Sequence, residues 1–440
     1  MLRKISTAAL VGAMAAGFAG TASADEDRIA QLEAQVAQLQ AQSQGDWLTE
    51  ARADEVRGLV QDVLADSATR ATLLQEGMAA GIDDNGHVFL QSANGQFTMN
   101  ISGQIQFRYV FNYQDDRSTA GVSDEAASSF DVRRAKVAFS GTVADGWDYL
   151  IRIAADHSSS ARDMIAEDVI IGHDLGDGWK MQAGHFKLPF ARQELISSSR
   201  QVAVDRGLAT EFFTLGRAEQ VQFSYADDQW QFHVALSDGA NSGFTTLPGG
   251  GTNDFAVTVR ADVRLDGEWD DAKDEFGSDS DALFVGGAVH YEKTDGAAAI
   301  DDQFMWTIDA LWKTGGFGIT AGVFGNHTSA NTGFADVDQY GAYGQVSYIL
   351  DEKWNVFGRL DYIDDDTASD ELLALTVGLN YHFNDNVKFT TDIIYTLSGD
   401  DPSAAGSING GEASSGLGLQ SGVTDDDEQL AWRAQLQLLF

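Results

Sequence analysis

The chain has 440 residues, no cysteine and a formal net charge of -39, from 28 Lys+Arg against 67 Asp+Glu. That acidic balance argues against gripping nucleic acid, whose affinity rests on neutralised phosphates, and the missing cysteines exclude disulfide frameworks, thiolate nucleophiles and cysteine-ligated metals. With 46 Gly, 3 Pro and 10% aromatic residues the composition suits many strands joined by turns. After the first twenty residues no run is long and apolar enough for a membrane-spanning helix, a test that alternating barrel strands escape.

Residues 1–24 read as a secretory signal. Arg3 and Lys4 start it, Ile5 to Ala19 is the apolar stretch, and Ala22-Ser23-Ala24 is the small-residue cleavage site. Residues 25–44 follow with Ile29, Leu32, Val36 and Leu39 spaced 3, 4, 3, the seam of a short α-helical coiled coil. A helical period persists over 45–81, where Val56, Leu59, Val60, Val63 and Leu64 mark one face and Gly77 and Gly81 close it. This predicts a periplasmic stalk and a helical collar or spacer, with peptidoglycan as a candidate partner.

Over 82–440 the period changes to two. Phe97, Met99, Ile101, Ile105, Phe107, Tyr109, Phe111 and Tyr113 alternate with Ser102, Gln104, Gln106, Arg108 and Asn112, so one strand face is apolar and the other mostly polar. Sixteen such segments start near Phe97, Val132, Tyr149, Val169, Trp179, Val221, Trp230, Phe255, Leu283, Phe304, Phe317, Tyr340, Trp354, Leu373, Val387 and Leu430. Their connections alternate between tight turns, such as 175–178 and 314–316, and long loops, such as 188–217 and 398–428. Short turns on one rim and long loops on the other, with aromatics near the ends of the apolar faces, predict an all-β transmembrane barrel of 16 antiparallel strands in outer-membrane lipid. One connection breaks the rule, because the acidic stretch 266–281 is long yet falls by parity on the short-turn rim.

The connection 187–217 stands out. Its ten large apolar residues, among them Leu188, Phe190, Phe212 and Phe213, need burial, and a loop of this length inside a regular pattern is usually functional. Its charges are Lys187, Arg192, Arg200, Arg206 and Arg217 against Glu194, Asp205 and Glu211, a local +2, and the reading is that it folds inward and narrows a water-filled pore. The last strand puts Leu430, Trp432, Ala434, Leu436, Leu438 and Phe440 on one face. It resembles the C-terminal signal by which barrel-assembly machinery recognises outer-membrane barrels.

The segments FDVRRAKVAFSGTVADGWDYLIRIAAD (130–156), EDVIIGHDLGDGWKMQAGHFKLPFARQELISSSR (167–200) and VDRGL (204–208) resemble the phosphate- and polyphosphate-selective porins of Gram-negative-type outer membranes. The resemblance implies a homotrimer of sixteen-stranded barrels, the third long loop folded inward as the constriction, and arginines and lysines lining the channel. Arg133 and Arg134 match that family's paired arginines. By parity Arg134 and Lys136 share the lumen and Arg133 sits opposite, near a rim. Polar-face parity adds Arg108, Arg152, Arg260 and Arg264 to the expected pore lining.

No nucleophile–base arrangement or Walker-type phosphate loop is present, so no enzyme is expected. The eight histidines lack ligand spacing. Asp425, Asp426, Asp427 and Glu428 are weak candidates for bound calcium; otherwise no cofactor is expected. The function expected is passive diffusion of small hydrophilic solutes or ions, leaning toward anions or phosphate at the constriction. The alternative is a mainly structural protein tethering outer membrane to cell wall through the N-terminal coiled coil.

Overall fold

A computed structural model describes residues 78–82, 87–114, 126–155, 164–242, 253–294, 300–330, 335–365, 371–398, 417–419 and 428–440. The chain divides into two units, Met1–Gly77 and Met78–Phe440. The signal, the coiled coil and nearly all of the collar lie outside the described residues. The collar's last residues, 78–81, are a correction: they are extended, in β1 (Met78–Ile82), which pairs antiparallel with β2 (Val88–Ser92). Val88, Phe89 and Leu90 give that short hairpin its strand character.

Sixteen strands make the barrel. They are β3 (Thr98–Gln114), β4 (Ala126–Val143), β5 (Trp147–Ala155), β6 (Met164–Gly176), β7 (Trp179–Lys187), β8 (Arg217–Ala226), β9 (Trp230–Ser237) and β10 (Asn253–Asp266), then β11 (Ala282–Thr294), β12 (Ile300–Thr314), β13 (Phe317–Ala330), β14 (Val337–Ile349), β15 (Trp354–Asp365), β16 (Leu372–Asn384), β17 (Val387–Ser398) and β18 (Gln429–Leu439). Each pairs antiparallel with the next, and β18 closes on β3 from Gln429↔Gln114 to Leu439↔Gln104. Closure removes both sheet edges. The period-two pattern is the physical cause. On β15 Asn355, Arg359 and Asp361 are buried inside while Trp354 and Leu360 are exposed outside, the apolar-out, polar-in arrangement that lipid demands. Two of the tight turns use two residues with positive φ, Asp177–Gly178 (52° and 82°) and Gly315–Gly316 (52° and 83°), which matches the twist of the flanking strands.

The C-terminus is seated where the barrel closes. Gly103 N–H donates to the Phe440 carbonyl at 2.6 Å and Phe440 N–H to the Gly103 carbonyl at 3.1 Å. A Cβ on Gly103 would lie 2.2 Å from the Phe440 ring, so only glycine leaves room for it. Gly103→Val should therefore lower the yield of inserted barrel in a detergent or vesicle refolding assay followed by heat-modifiable gel mobility, while Gly344→Ala, with nothing within 4 Å of its Cβ, should refold normally. Trp432, Leu436 and Leu438 of the insertion signal face outward with Phe440.

Candidate solute passage

The lumen is divided by the segment 188–216, the third long connection. It carries two short helices, α1 (Arg192–Leu195) and α2 (Leu208–Phe212). Leu188, Phe190, Leu208, Phe212, Phe213 and Leu215 are buried against an apolar patch on the inner wall that includes Met305, Phe324, Ile363, Leu372 and Ile394. Phe213 stacks on Phe324 at 5.3 Å, and a Cβ on Gly341 would come within 2.3 Å of the Phe213 ring. Each such side chain gains about 1.5–3 kcal/mol by leaving water, which holds the segment inside. Strict polar-in parity did not foresee this greasy patch on the wall from β12 to β17. Leu417 and Leu419 join the same cluster, and the backbone carbonyls of Leu417 and Gly418 accept hydrogen bonds from Arg433 (2.8 Å) and Asn112 (3.2 Å).

The charged residues fall into separate sets. Asp205, fully buried, accepts from Arg133 Nε (2.8 Å), Arg134 Nη2 (2.7 Å) and Arg108 Nη1 (3.2 Å). Burial would push the Asp205 carboxyl up, but Arg133, Arg134 and Arg108 hold it well below the usual carboxylate range. Arg133 is the correction here: it points inward with Arg134, not toward a rim. The pairing of β3 with β4 jumps from Gln106↔Arg134 to Phe107↔Val132, leaving Arg133 as the extra residue of a β-bulge, and a bulge re-aims one side chain. A second bulge does the same on β6. Arg152↔Asp168 is followed by Ile153↔Ala166, so Glu167 and Asp168 both turn inward, Glu167 to Lys136 and Arg217 (3.2 Å), Asp168 to Arg152 and Arg217 (2.8 Å).

Arg192 and Arg260 sit in a cage with Asp262 and Asp309. Arg192 meets Asp262 at 2.6 Å and Asp309 at 2.7 Å; Arg260 meets them at 2.7 and 2.8 Å. Arg206 pairs with Glu211 at 3.1 Å. Burial works against its charge, but Glu211 and Glu194 hold the proton more firmly than usual. Lys187 donates to the Glu194 carbonyl. Arg359 and Arg433, fully buried, form ion pairs with Asp361 (2.8 Å) and Asp392 (2.7 Å). Arg264 lies toward the short-turn rim, paired with Glu268 at 2.7 Å.

The open space runs on the other side of the inserted segment. A cavity of about 630 Å³ is lined by Arg134, Lys136, Arg152, Lys187, Arg200, Arg206 and Arg217 and by Glu167 and Asp168, seven Lys and Arg side chains against two acidic side chains, a formal side-chain balance of +5. Of the eleven basic residues expected along the pore, these seven border this cavity. Arg192 and Arg260 instead border a neighbouring cavity of about 660 Å³ with Arg200 and His233. Neither Arg108 nor Arg264 lines either space. The guanidinium of Arg200 makes no ion pair among the described residues and is exposed. Asp425, Asp426 and Asp427 lie outside the described residues, and Glu428 accepts from the Tyr395 hydroxyl. Sequence reasoning missed Glu275, which lies in the acidic stretch on the short-turn rim yet is buried beneath the inserted segment.

The family described as phosphate-selective porin O and P matches residues 101–258, which run from β3 through the inserted segment into β10. No curated protein matches the sequence. Among solved structures, an anion-selective porin from Comamonas acidovorans is 10% identical with a TM-score of 0.54, covering 78% of this chain and 100% of its own. In-vitro folded OmpT, an outer membrane protein of Vibrio cholerae, is 12% identical with a TM-score of 0.51 over 78% and 98%, and its trimer form scores 0.50 at the same identity over 78% and 99%. Residues 101–258 are thus similar to the phosphate-selective porin O and P family, and the sixteen-stranded barrel is the fold that the chain shares with solved outer-membrane porins.

Proposed function

We propose that this porin is a homotrimer whose passage favours small hydrophilic anions. The observation that carries the reading is the formal side-chain balance of +5 around the cavity of about 630 Å³ in a chain of net charge -39. Charges fixed at a narrow, low-dielectric point set ion preference there, and with a Debye length of about 8 Å at physiological salt the acidic loops beyond that distance are largely screened. The Arg152 and Arg217 side chains retain 33% and 21% exposure, so they can meet a passing solute while still paired. The solved structures related by fold include an outer membrane protein in a trimer form and an anion-selective porin, and both support the reading.

Planar-bilayer recording under a salt gradient tests it. The wild type should give a reversal potential of anion sign, and Lys136→Glu with Arg152→Glu should move it toward cations. A cation-selective wild type, insensitive to both substitutions, would overturn the reading.

A further inference from the structure

The acidic stretch Gly267–Asp281 is more than a turn between β10 and β11. At the rim Trp269 packs with Ala282, Phe284 and Leu311, and its indole N–H donates to the Asp227 carbonyl at 2.9 Å. A 3-10 turn over Trp269–Lys273 is closed at its start by a reciprocal Glu268–Asp271 capping box. The chain then runs into the barrel. Phe276 joins Val202, Ala203 and Phe357 in a buried cluster, with Lys388 Nζ 4.8 Å above its ring. Its way out is a close backbone passage, since a Cβ on Gly277 would lie 1.9 Å from the Gly316 carbonyl oxygen.

Glu275 is the point of contact with the inserted loop. One carboxylate oxygen accepts from Gln193 Nε2 at 2.7 Å and the other from Val202 N–H at 3.1 Å, while its own N–H donates to the Arg200 carbonyl at 3.2 Å. Its carbonyl accepts from Ser347 Oγ at 3.0 Å, and its neighbour Asp274 pairs with Lys313 at 2.9 Å. Glu275 thus ties three points of the inserted segment, 193, 200 and 202, to the wall strand β14, and its neighbour Asp274 ties the same stretch to β12. The residues it ties flank Ser197–Ser199, which line the main cavity, and Trp269, Asp270, Ala272 and Lys273 wall the neighbouring one.

We propose that the stretch 267–281 is a second constricting element, entering from the short-turn rim, and that Glu275 is the residue that positions the 193–202 part of the inserted loop. It rests on the reading that ions cross through the lumen. Asp205 pins the loop's far half to β3 and β4, and Glu275 pins the near half to β14, with Asp274 beside it on β12. Without the second pin, residues 196–201 keep wall contacts only on the β3, β17 and β18 side, from Ser198 and Ser199 to Gln104, Gln106 and Gln437 and from the Gln201 carbonyl to Lys388, and local openings follow where fewer buried contacts remain.

The test is single-channel recording of the full barrel carrying Glu275→Ala and Glu275→Gln. Glu275→Ala should lose the single conductance level, showing rapid fluctuation and a raised mean. Glu275→Gln, which still accepts from Val202, should restore a steady level, while both keep wild-type heat-modifiable mobility. An inserted Glu275→Ala barrel with wild-type conductance and noise would overturn the proposal. If Glu275→Ala does not insert, Ser347→Ala with Asp274→Asn loosens the same clamp from the wall side. Wild-type conductance and noise in that pair would likewise overturn the proposal, and added noise would support it. A wild type that inserts yet carries no current would instead defeat the conducting reading itself.

Discussion

In an Asp205→Ala variant, three guanidinium groups should be left buried beside one another without their shared carboxylate, and the barrel should lose about 3–5 kcal/mol of stability. Arg108, Arg133 and Arg134 all reach Asp205 within 3.3 Å, and Arg108 also meets Asp131 at 3.1 Å. Asp205 is also the loop's tie to β3 and β4, so the variant should let the inserted loop swing, conduct more and favour anions more strongly than wild type. Urea titration of the refolded barrel and bilayer recording measure the two effects. A stability within about 1 kcal/mol of wild type, below the range for a broken buried ion pair, would show that the three arginines are solvated through the passage and that Asp205 does not hold the loop.

Acid should reach the same end by titration. The folded-state pKa of Asp205 is depressed, so its stabilisation is complete above the unfolded aspartate value of about 3.9 and disappears only as pH falls through the lower folded value. The pin therefore survives mildly acidic medium, and conductance per channel should be flat from neutral pH down to that range before it rises.

The barrel was written plainly in the residues, because lipid outside and water inside impose a period of two that nothing else in the chain produces. The inserted loop was legible too, since Phe190, Phe212 and Phe213 have no place in a solvated connection. Parity failed where the backbone departs from parity. Nothing in FDVRRAKV announces that Arg133 is a bulge residue, and the run Ala166-Glu167-Asp168-Val169 is equally silent about Glu167. A pair of like charges in adjacent positions of an otherwise alternating strand was the available signal: one of each pair must face lipid unless the strand bulges, and lipid forbids the charge. The lining of the passage could not be read because burial of a lumenal arginine depends on which part of the inserted loop lies over it. Arg108 and Arg134 sit on neighbouring strands in the same set, yet only Arg134 lines the cavity. The stretch 266–281 was visible as an exception in length; that Glu275 turns inward is a tertiary fact, decided by Gln193 and Val202 far along the chain.

Arg260→Leu should be the other large lesion, and its contrast with Arg264→Leu makes it informative. The two arginines lie four apart on β10 and face the same way, yet Arg260 is 1% exposed while the partner of Arg264, Glu268, is 83% exposed. Losing Arg264 removes a rim pair worth about 0.2–1 kcal/mol. Losing Arg260 strips donors from Asp262, from Asp309 and from the Phe190 carbonyl at once, leaving two buried carboxylates to share Arg192, and should cost about 3–5 kcal/mol. Because the penalty is an uncompensated charge and not lost attraction, Arg260→Leu with Asp309→Leu should recover much of it, Arg192 and Asp262 remaining as a pair. Denaturant midpoints of the three variants decide the matter. If Arg260→Leu proves as mild as Arg264→Leu, or if the double variant is worse than the single, the four-residue cage is not what anchors the start of the inserted loop to β10 and β12.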